Sequence, residues 1–495
     1  MLFDSMKKSI SLLPLLFSGI ISQAQNEVDA LRYSATDVVG TARYQALGGA
    51  FTSLGVDMTT AATNPAGIAV NRSSQFQFSP AVYGISANST LNGNKTSDFK
   101  LNANVGSWGF IGTIKNRWNK NKDTNTGLQS FSIGVTYTRM NNFHQVFLSE
   151  NPNSTSSLLD SYAQNISGVS SSTISSSDQY SFGENMAYQS YLLNPDTVLA
   201  NQYTTVASKP GNRQTMQGDI KGRVGETNIT FGANVANKLY LGGGIGISRI
   251  RYYEKTNYTE SDYQNQINGF QDFTLSRNLS TVGTGYNVKI GAIYRPTDWL
   301  RLGASAISPT FYMLTDNWNN TLSSNLDTAS YLASSPQGTY NYNLTSAPRF
   351  YGGVGFIIGK IGLISADYEL INYPFARFSA NDGYSFTAEN SATKALYRTT
   401  GNVRIGTEWK VQNIALRGGV ALFASPYKTP SSYFNKINYS LGLGYSGKVF
   451  FCDATYVLSM WKNTYTVYEL QNSKGEVADL KYNTGNVVLT FGVKF

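Results

Sequence analysis

The sequence predicts an all-β protein: a fourteen-stranded antiparallel transmembrane β-barrel with an N-terminal luminal hatch, or plug. Three observations carry this reading. Apolar and polar residues alternate strictly in segment after segment. The connections between those segments alternate long and short. The chain closes on an aromatic residue at the end of one such segment.

The chain opens MLFDSMKKSISLLPLLFSGIISQAQN. Lys7 and Lys8 form a positive region, Ser9 to Ile21 an apolar one broken by Pro14, and Ser22-Gln23-Ala24 a small-x-small cleavage site. Residues 1–24 therefore read as a secretory signal peptide, too short to span a bilayer. The mature chain then starts near Gln25, and Met6 offers a cleaner initiation point. No cysteine stands at the cleavage site, which argues against a lipoprotein. Downstream, no apolar run approaches the ~18 residues of a membrane helix.

Composition narrows the class. Charged residues make up only 14%, while Gly (46), Tyr (33) and Phe (26) are abundant, and no Pro-rich or charged linker divides the chain. One large β structure fits this better than several domains. The single cysteine, Cys452, forbids an internal disulfide, and with the single histidine, His144, it leaves no Cys/His metal centre or cysteine–histidine pair. No metal, cofactor or catalytic residue is predicted. The net charge of +9 is scattered, without a basic block, so nucleic acid is not an expected partner.

The alternating segments fall at 74–87, 99–114, 128–141, 225–236, 238–254, 284–295, 299–307, 346–358, 360–373, 397–410, 413–425, 435–446, 448–462 and 480–495. In the twelfth, Ile437, Tyr439, Leu441 and Leu443 oppose Asn438, Ser440, Gly442 and Gly444. Successive strand side chains point to opposite faces, so each segment has one apolar and one polar face. The glycines sit on the polar, inward side, as if something packs close in the lumen.

From the third strand on, long links (142–224, 255–283, 308–345, 374–396, 463–479) and one of moderate length (426–434) alternate with tight ones at Asn237, Pro296-Thr297-Asp298, Gly359, Val411-Gln412 and Gly447. Short turns at one end and long loops at the other are the signature of a membrane barrel. The exception is 115–127, on the short side but about a dozen residues long. The final strand ends NVVLTFGVKF, with Phe491, Val493 and Phe495 on one face. That ending resembles the assembly signal of bacterial outer-membrane barrels.

The barrel (74–495, with 142–224 as its long extracellular loop) leaves residues 25–73 ahead of it on the short-turn side. They are small and apolar, and the lumen is the simplest place to bury them. Pro65 biases Asn64 away from helix, Gly67 permits a turn, and Ala61, Ala62, Ala66 and Ala69 permit close approach. The plainer alternative is an ordinary turn into the first strand. Phe51 and Leu54 suit packing on the barrel wall, with ligand contact as the alternative. Asp367 and Glu369 read as lumen charges answering Arg404 and Arg417. LGGGIGIS (Leu241 to Ser248) lies within a strand and lacks the spacing of a phosphate loop. His144 has no accompanying nucleophile motif, so enzyme activity is not expected.

The stretch ALGGAFTSLGVDMTTAATNPAGIAV (Ala46 to Val70) resembles the N-terminal hatch of the FadL/TodX transporters of long-chain fatty acids and aromatic hydrocarbons. Its Asn-Pro-Ala maps onto Asn64, Pro65 and Ala66, followed here by Gly67. YRPTDWLRLGASAISP (Tyr294 to Pro309) is similar to the family's central turn and strand. The insert 142–224, rich in Ser, Asn and Tyr, departs from the pattern. The resemblance implies passive uptake of hydrophobic small molecules across the outer membrane of a Gram-negative bacterium. Release would follow hatch movement or a gap at a distorted third strand (Leu128 to Asn141), where Gly134 is the candidate kink. Expected partners are the substrate, outer-membrane lipid and lipopolysaccharide, and the assembly machinery. The alternatives are a surface adhesin or structural barrel, and a general porin.

Overall fold

The computed structural model describes residues 26–116, 126–207, 211–429, 432–471 and 475–495. The expected signal segment, 1–24, and most of the 115–127 link lie outside the described residues.

Among the described residues, fourteen antiparallel strands form one closed sheet. They are β1 (Gln75–Leu91), β2 (Asn94–Lys115), β3 (Leu128–Asn142, resuming as Gln145–Asn151), β4 (Arg213–Val235) and β5 (Leu239–Ser261). Next come β6 (Asp272–Tyr294), β7 (Leu300–Ile307, resuming as Phe311–Asn325), β8 (Gly338–Thr345, resuming as Arg349–Ile358) and β9 (Gly362–Asn372, resuming as Arg377–Ser379). The last five are β10 (Thr399–Val411), β11 (Ile414–Ala424), β12 (Phe434–Ser446), β13 (Phe450–Thr466) and β14 (Val477–Lys494). Each pairs with its neighbours in sequence, and β1 closes the ring on β14, from Gln75 opposite Lys494 to Thr90 opposite Asp479. Closure leaves no free edge at the seam, as hydrocarbon requires.

The alternation resolves into an inside and an outside. On β4, Asn228 and Thr230 are fully buried toward the lumen, while Ile229 and Phe231 are exposed. The same holds around the ring: Phe76, Phe78, Ile245, Ile290, Ile405, Leu441 and Phe491 are all exposed. An apolar belt of this extent on the outer face of a closed barrel is a lipid-facing surface. At the short-turn end, Phe495 stacks on Phe110 at 5.8 Å, and its amide donates to Ser74.

The short turns follow local chemistry. Ala236 and Asn237 both take positive φ between β4 and β5, and Gly359 and Gln412 do so in later turns. At the opposite end Asn92-Gly93, with φ of 49° and 84°, joins β1 to β2 in the two-residue form favoured by strand twist.

The long links are shorter than the sequence suggests, because strands continue into them. β4, β5 and β6 each run 23 residues, more than twice the roughly ten needed to cross a bilayer. Of the described residues of the predicted 142–224 loop, only 143–144, 152–207 and 211–212 lie outside the barrel strands. Beyond the lipid the outward face is wet, so the apolar–polar contrast that marks a strand fades. The remaining insert is folded. Its helix α4 (Leu158–Asn165) starts at a Ser157/Asp160 capping box, and Leu159, Tyr162, Ile166, Met186 and Leu192 pack on Phe147, Tyr258, Phe273 and Leu480 of the strands. This apolar dome covers the long-loop mouth.

Candidate functional site

The N-terminal segment lies inside the barrel. It holds α1 (Glu27–Ser34), α2 (Ala42–Ala46), α3 (Thr60–Thr63) and a 3-10 turn over Pro65–Val70. Three of the four begin on a local start signal, whereas α3 follows Thr59 without a side-chain cap. Asn26 and Asp29 form a capping box on α1, Thr41 caps α2, and Pro65 opens the 3-10 turn, where a missing N–H costs nothing. Asn64 acts as a hub. Its Oδ1 accepts from the Ala66 amide at 3.1 Å, and its Nδ2 donates to Thr52 O at 2.7 Å and to Ala292 O of β6 at 3.3 Å. Gly67 donates to Asn64 O and accepts from Val56.

Inward-facing glycines let the wall touch this backbone. A methyl group on Gly242 would stand 2.3 Å from Pro65 C, one on Gly303 2.1 Å from Thr52 O, and one on Gly419 2.3 Å from Gly48 N. Ion pairs add anchors. Arg43 of α2 binds Glu408 of β10 at 2.8 Å, and Lys436 of β12 binds Asp37 at 2.6 Å. Asp57 accepts from Thr41 Oγ1 and the Thr59 amide, and burial pushes its carboxyl up from the ordinary range against those bonds.

The predicted lumen charges are present but differently partnered. Glu369 pairs with Arg404 and also with Arg349. Asp367 instead accepts from the Thr52 amide at 2.7 Å. Arg417 answers Glu408 and Asp453. The interior is held by polar bonds from wall to plug.

Phe51 is fully buried, stacked on Tyr44 at 5.2 Å with the Arg43 guanidinium over its ring. It also packs on Leu363, Ala421 and Phe423 of the strands, in line with packing on the barrel wall. Leu54 does line a cavity, of about 680 Å³, at the short-turn end. His144 bonds Asn142 at 2.9 Å.

The backbone pairing runs without a break through Gly134, the candidate kink. Gly134 is regularly paired with Thr230, because the small residue admits both the Thr230 side chain and Ile68 of the plug. The third strand departs from regular pairing between Leu128 and Ser130, and between Arg139 and Asn141. It then breaks at Phe143, whose ring turns onto Tyr33 of α1 and Tyr252.

That break opens the ladder. β2 and β3 are paired only from Ser107/Thr138 to Lys115/Ser130. Just above Ser107, Gly106 bulges out of register opposite Ser79 and Pro80, where proline lacks the N–H a ladder needs. Farther out, Asn94 and Thr96 of β2 reach the Glu150 and Leu148 carbonyls and close the opening again. Plug residues 35–40 stand behind the gap. Asp37 N donates to Met140 O at 3.0 Å, and Asn141 Nδ2 donates to Ala35 O at 3.2 Å. Gly40 O lies 3.2 Å from where a Gly106 methyl would be. Behind Met140, a cavity of about 40 Å³ is lined by Ser34, Glu226, Lys289 and Arg349, with Lys289 Nζ 2.7 Å from Glu226. That space suits ordered water. Sequence reasoning missed Pro80, Gly106 and Phe143; a proline inside a long strand was the available signal.

The architecture is similar to the crystal structure of a Pseudomonas aeruginosa FadL homologue, over 93% of this chain and 99% of that one, with a TM-score of 0.57 at 11% identity. The P. putida toluene transporter TodX matches over the same shares, with a TM-score of 0.53 at 12% identity. No protein-family model matches the chain, and no curated protein matches it by sequence. The fold is thus that of the FadL/TodX-type barrels.

Proposed function

We propose that the protein carries out passive uptake of hydrophobic small molecules, long-chain fatty acids or aromatic hydrocarbons, across the outer membrane of a Gram-negative bacterium. In this reading the short-turn end faces the periplasm, the dome faces outward, and residues 25–73 are the hatch, with Asn64-Pro65-Ala66-Gly67 as its pivot. The outward row Phe491, Val493 and Phe495 serves as the signal to the assembly machinery.

One observation carries the reading: the unpaired stretch between β2 and β3, sealed from inside by residues 35–37 through two hydrogen bonds. An open ladder in lipid is costly unless protein covers it, and here the cover is the plug segment itself, whose displacement would open the wall. The 40 Å³ space behind it falls far short of the ~300 Å³ of a small-molecule pocket, so the structure corresponds to a closed state. Displacing the seal would join the lumen to the bilayer. An apolar molecule then moves downhill, gaining roughly 25 cal/mol per Å² of surface removed from water, and no energy source is needed.

The test is a reversible tether: Ala35→Cys with Asn141→Cys in a Cys452→Ser background. Oxidation is expected to stop uptake of labelled oleate or toluene by expressing cells, and reductant to restore it. Unchanged uptake in the oxidised protein would discard the lateral route.

A further inference from the structure

We infer that the cavity under the hatch at the short-turn end is a binding site for the carboxylate head of an amphiphile, which makes a long-chain carboxylate, rather than a neutral hydrocarbon, the preferred cargo. This rests on the uptake reading and sharpens it.

The cavity, about 680 Å³, is roofed by Leu54, Gly55, Val56 and Asp57 of the plug and walled by turn residues such as Lys360 and Asn413. Its volume falls within the ~300–1,000 Å³ of small-molecule sites. Seven cationic side chains line it against three carboxylates, a surplus of four. The carboxylates are committed. Glu408 is shared by Arg43, Lys410 and Arg417, and Asp453 also pairs with Arg417. Asp57 is turned to Thr41 and Thr59. Among the described residues, Arg72, Arg301, Lys360 and Lys494 have no carboxylate within ion-pairing distance.

Arg301 points most directly to a ligand. Its Nη1 donates to Leu54 O at 2.9 Å, so the hatch tip fixes the guanidinium. Its Nε is buried and has no partner. A planar fork with one donor engaged and another idle matches the bidentate geometry of a carboxylate. A cleft with such a cationic surplus concentrates anions.

Apolar side chains adjoin the charges. Leu54, Ile357 and Leu363 lie within the lining, and Val56 projects into it, 40% exposed. Val56 also holds a φ of 59°, strained for a β-branched residue. A strained, exposed valine beside an idle guanidinium offers a surface for a tail next to a surface for its head. A free inorganic anion would use only the second.

The test uses the full mature barrel in neutral detergent, with a fluorophore on Asn413→Cys in a Cys452→Ser background. Quenching is titrated with spin-labelled stearate and with the equivalently labelled stearyl alcohol. Stearate should bind more tightly than the alcohol, and more weakly as salt rises. Arg301→Gln and, separately, Lys360→Gln on an exposed turn should each weaken stearate about tenfold while leaving the alcohol unchanged. Equal binding of the two probes, stearate binding indifferent to both variants, or displacement by equimolar inorganic phosphate would each overturn the proposal. Should neither probe bind while uptake still responds to the Ala35/Asn141 tether, the vestibule site falls and the uptake reading stands. Should expressing cells take up neither labelled oleate nor toluene while stearate binds here as expected, the uptake reading falls and the site remains.

Discussion

Asn64 Oδ1 occupies the space a side chain on Gly291 would need, 1.9 Å from that position. The wall of β6 and the turn of the plug are shaped to each other at this point, and neither can change alone. Gly291→Ala is expected to push the carboxamide off its bonds to Thr52 and Ala292 and to cost about 1–3 kcal/mol as overpacking. Asn64→Ala removes the same bonds without the clash and should cost about 1–3 kcal/mol for the donors and acceptors left buried. Thermal unfolding in detergent measures both. If the contact seals the lumen, both variants should also conduct ions in a planar bilayer where the parent does not.

Glu369 gathers Arg349, Arg404, Tyr351 and Asn402 around one buried carboxylate. Glu369→Gln strands two guanidiniums that Coulomb attraction had compensated. Breaking a buried pair from one side costs roughly 3–5 kcal/mol, so the urea midpoint should drop sharply. Asn402→Ala, which removes a neutral donor to Glu369 Oε2 and the acceptor of the Ala424 amide, should cost less, about 1–3 kcal/mol. Equal effects would mean that the cluster is not electrostatically coupled.

Much of this architecture was legible in the chain. Lipid wets one face of each strand and side chains or water the other, so all fourteen strands announce themselves by alternation. NPAG announces a buried turn, because few other residues start one at such close quarters. A gap at the third strand came only from the family resemblance, and the residues themselves did not place it between β2 and β3. It depends on which neighbour β3 pairs with above Thr138, a tertiary choice made by Phe143 packing on Tyr33 and Tyr252. Gly134 misled for a related reason. Glycine in a strand signals either a bend or a close neighbour, and here the neighbour is the Thr230 hydroxyl, 2.9 Å from where a methyl would stand. The basic cavity was hidden because its cations come from turns and strands scattered between Arg43 and Lys494.

Glu184, in the dome above the long-loop mouth, gives the dome a pH dependence. Burial raises its carboxyl above the ordinary 4.5, with the Asn165 amide bond opposing. A raised carboxyl binds its proton more tightly in the folded dome than in the opened one. The contribution of Glu184 to the dome is therefore greatest below about pH 4.5 and is lost as pH rises through the folded value. Limited proteolysis of residues 152–207 should accelerate from pH 4.5 to 7.5. Glu184→Gln should flatten the profile, since the amide does not titrate. An unchanged slope in the variant would assign the effect to another group.

The hydrogen bond from Asn141 Nδ2 to Ala35 O, at 3.2 Å, is one of two that hold the hatch edge against the wall gap. The other, from Asp37 N to Met140 O, is between backbones and survives any side-chain change there. Asn141→Ala should therefore loosen the seal without releasing it. Losing one such bond is worth about 0.5–1.5 kcal/mol, which corresponds to a few-fold to roughly tenfold rise in the open fraction. Amide exchange at residues 35–40 should quicken by that factor while exchange in β10 to β14 stays fixed. If the gap is the exit, uptake of a labelled fatty acid should rise in the same variant, opposite in sign to the disulfide tether at this position. Faster exchange with unaltered uptake would separate the two: the seal would be mobile, but the cargo would leave elsewhere, most directly through the basic cavity beneath Leu54.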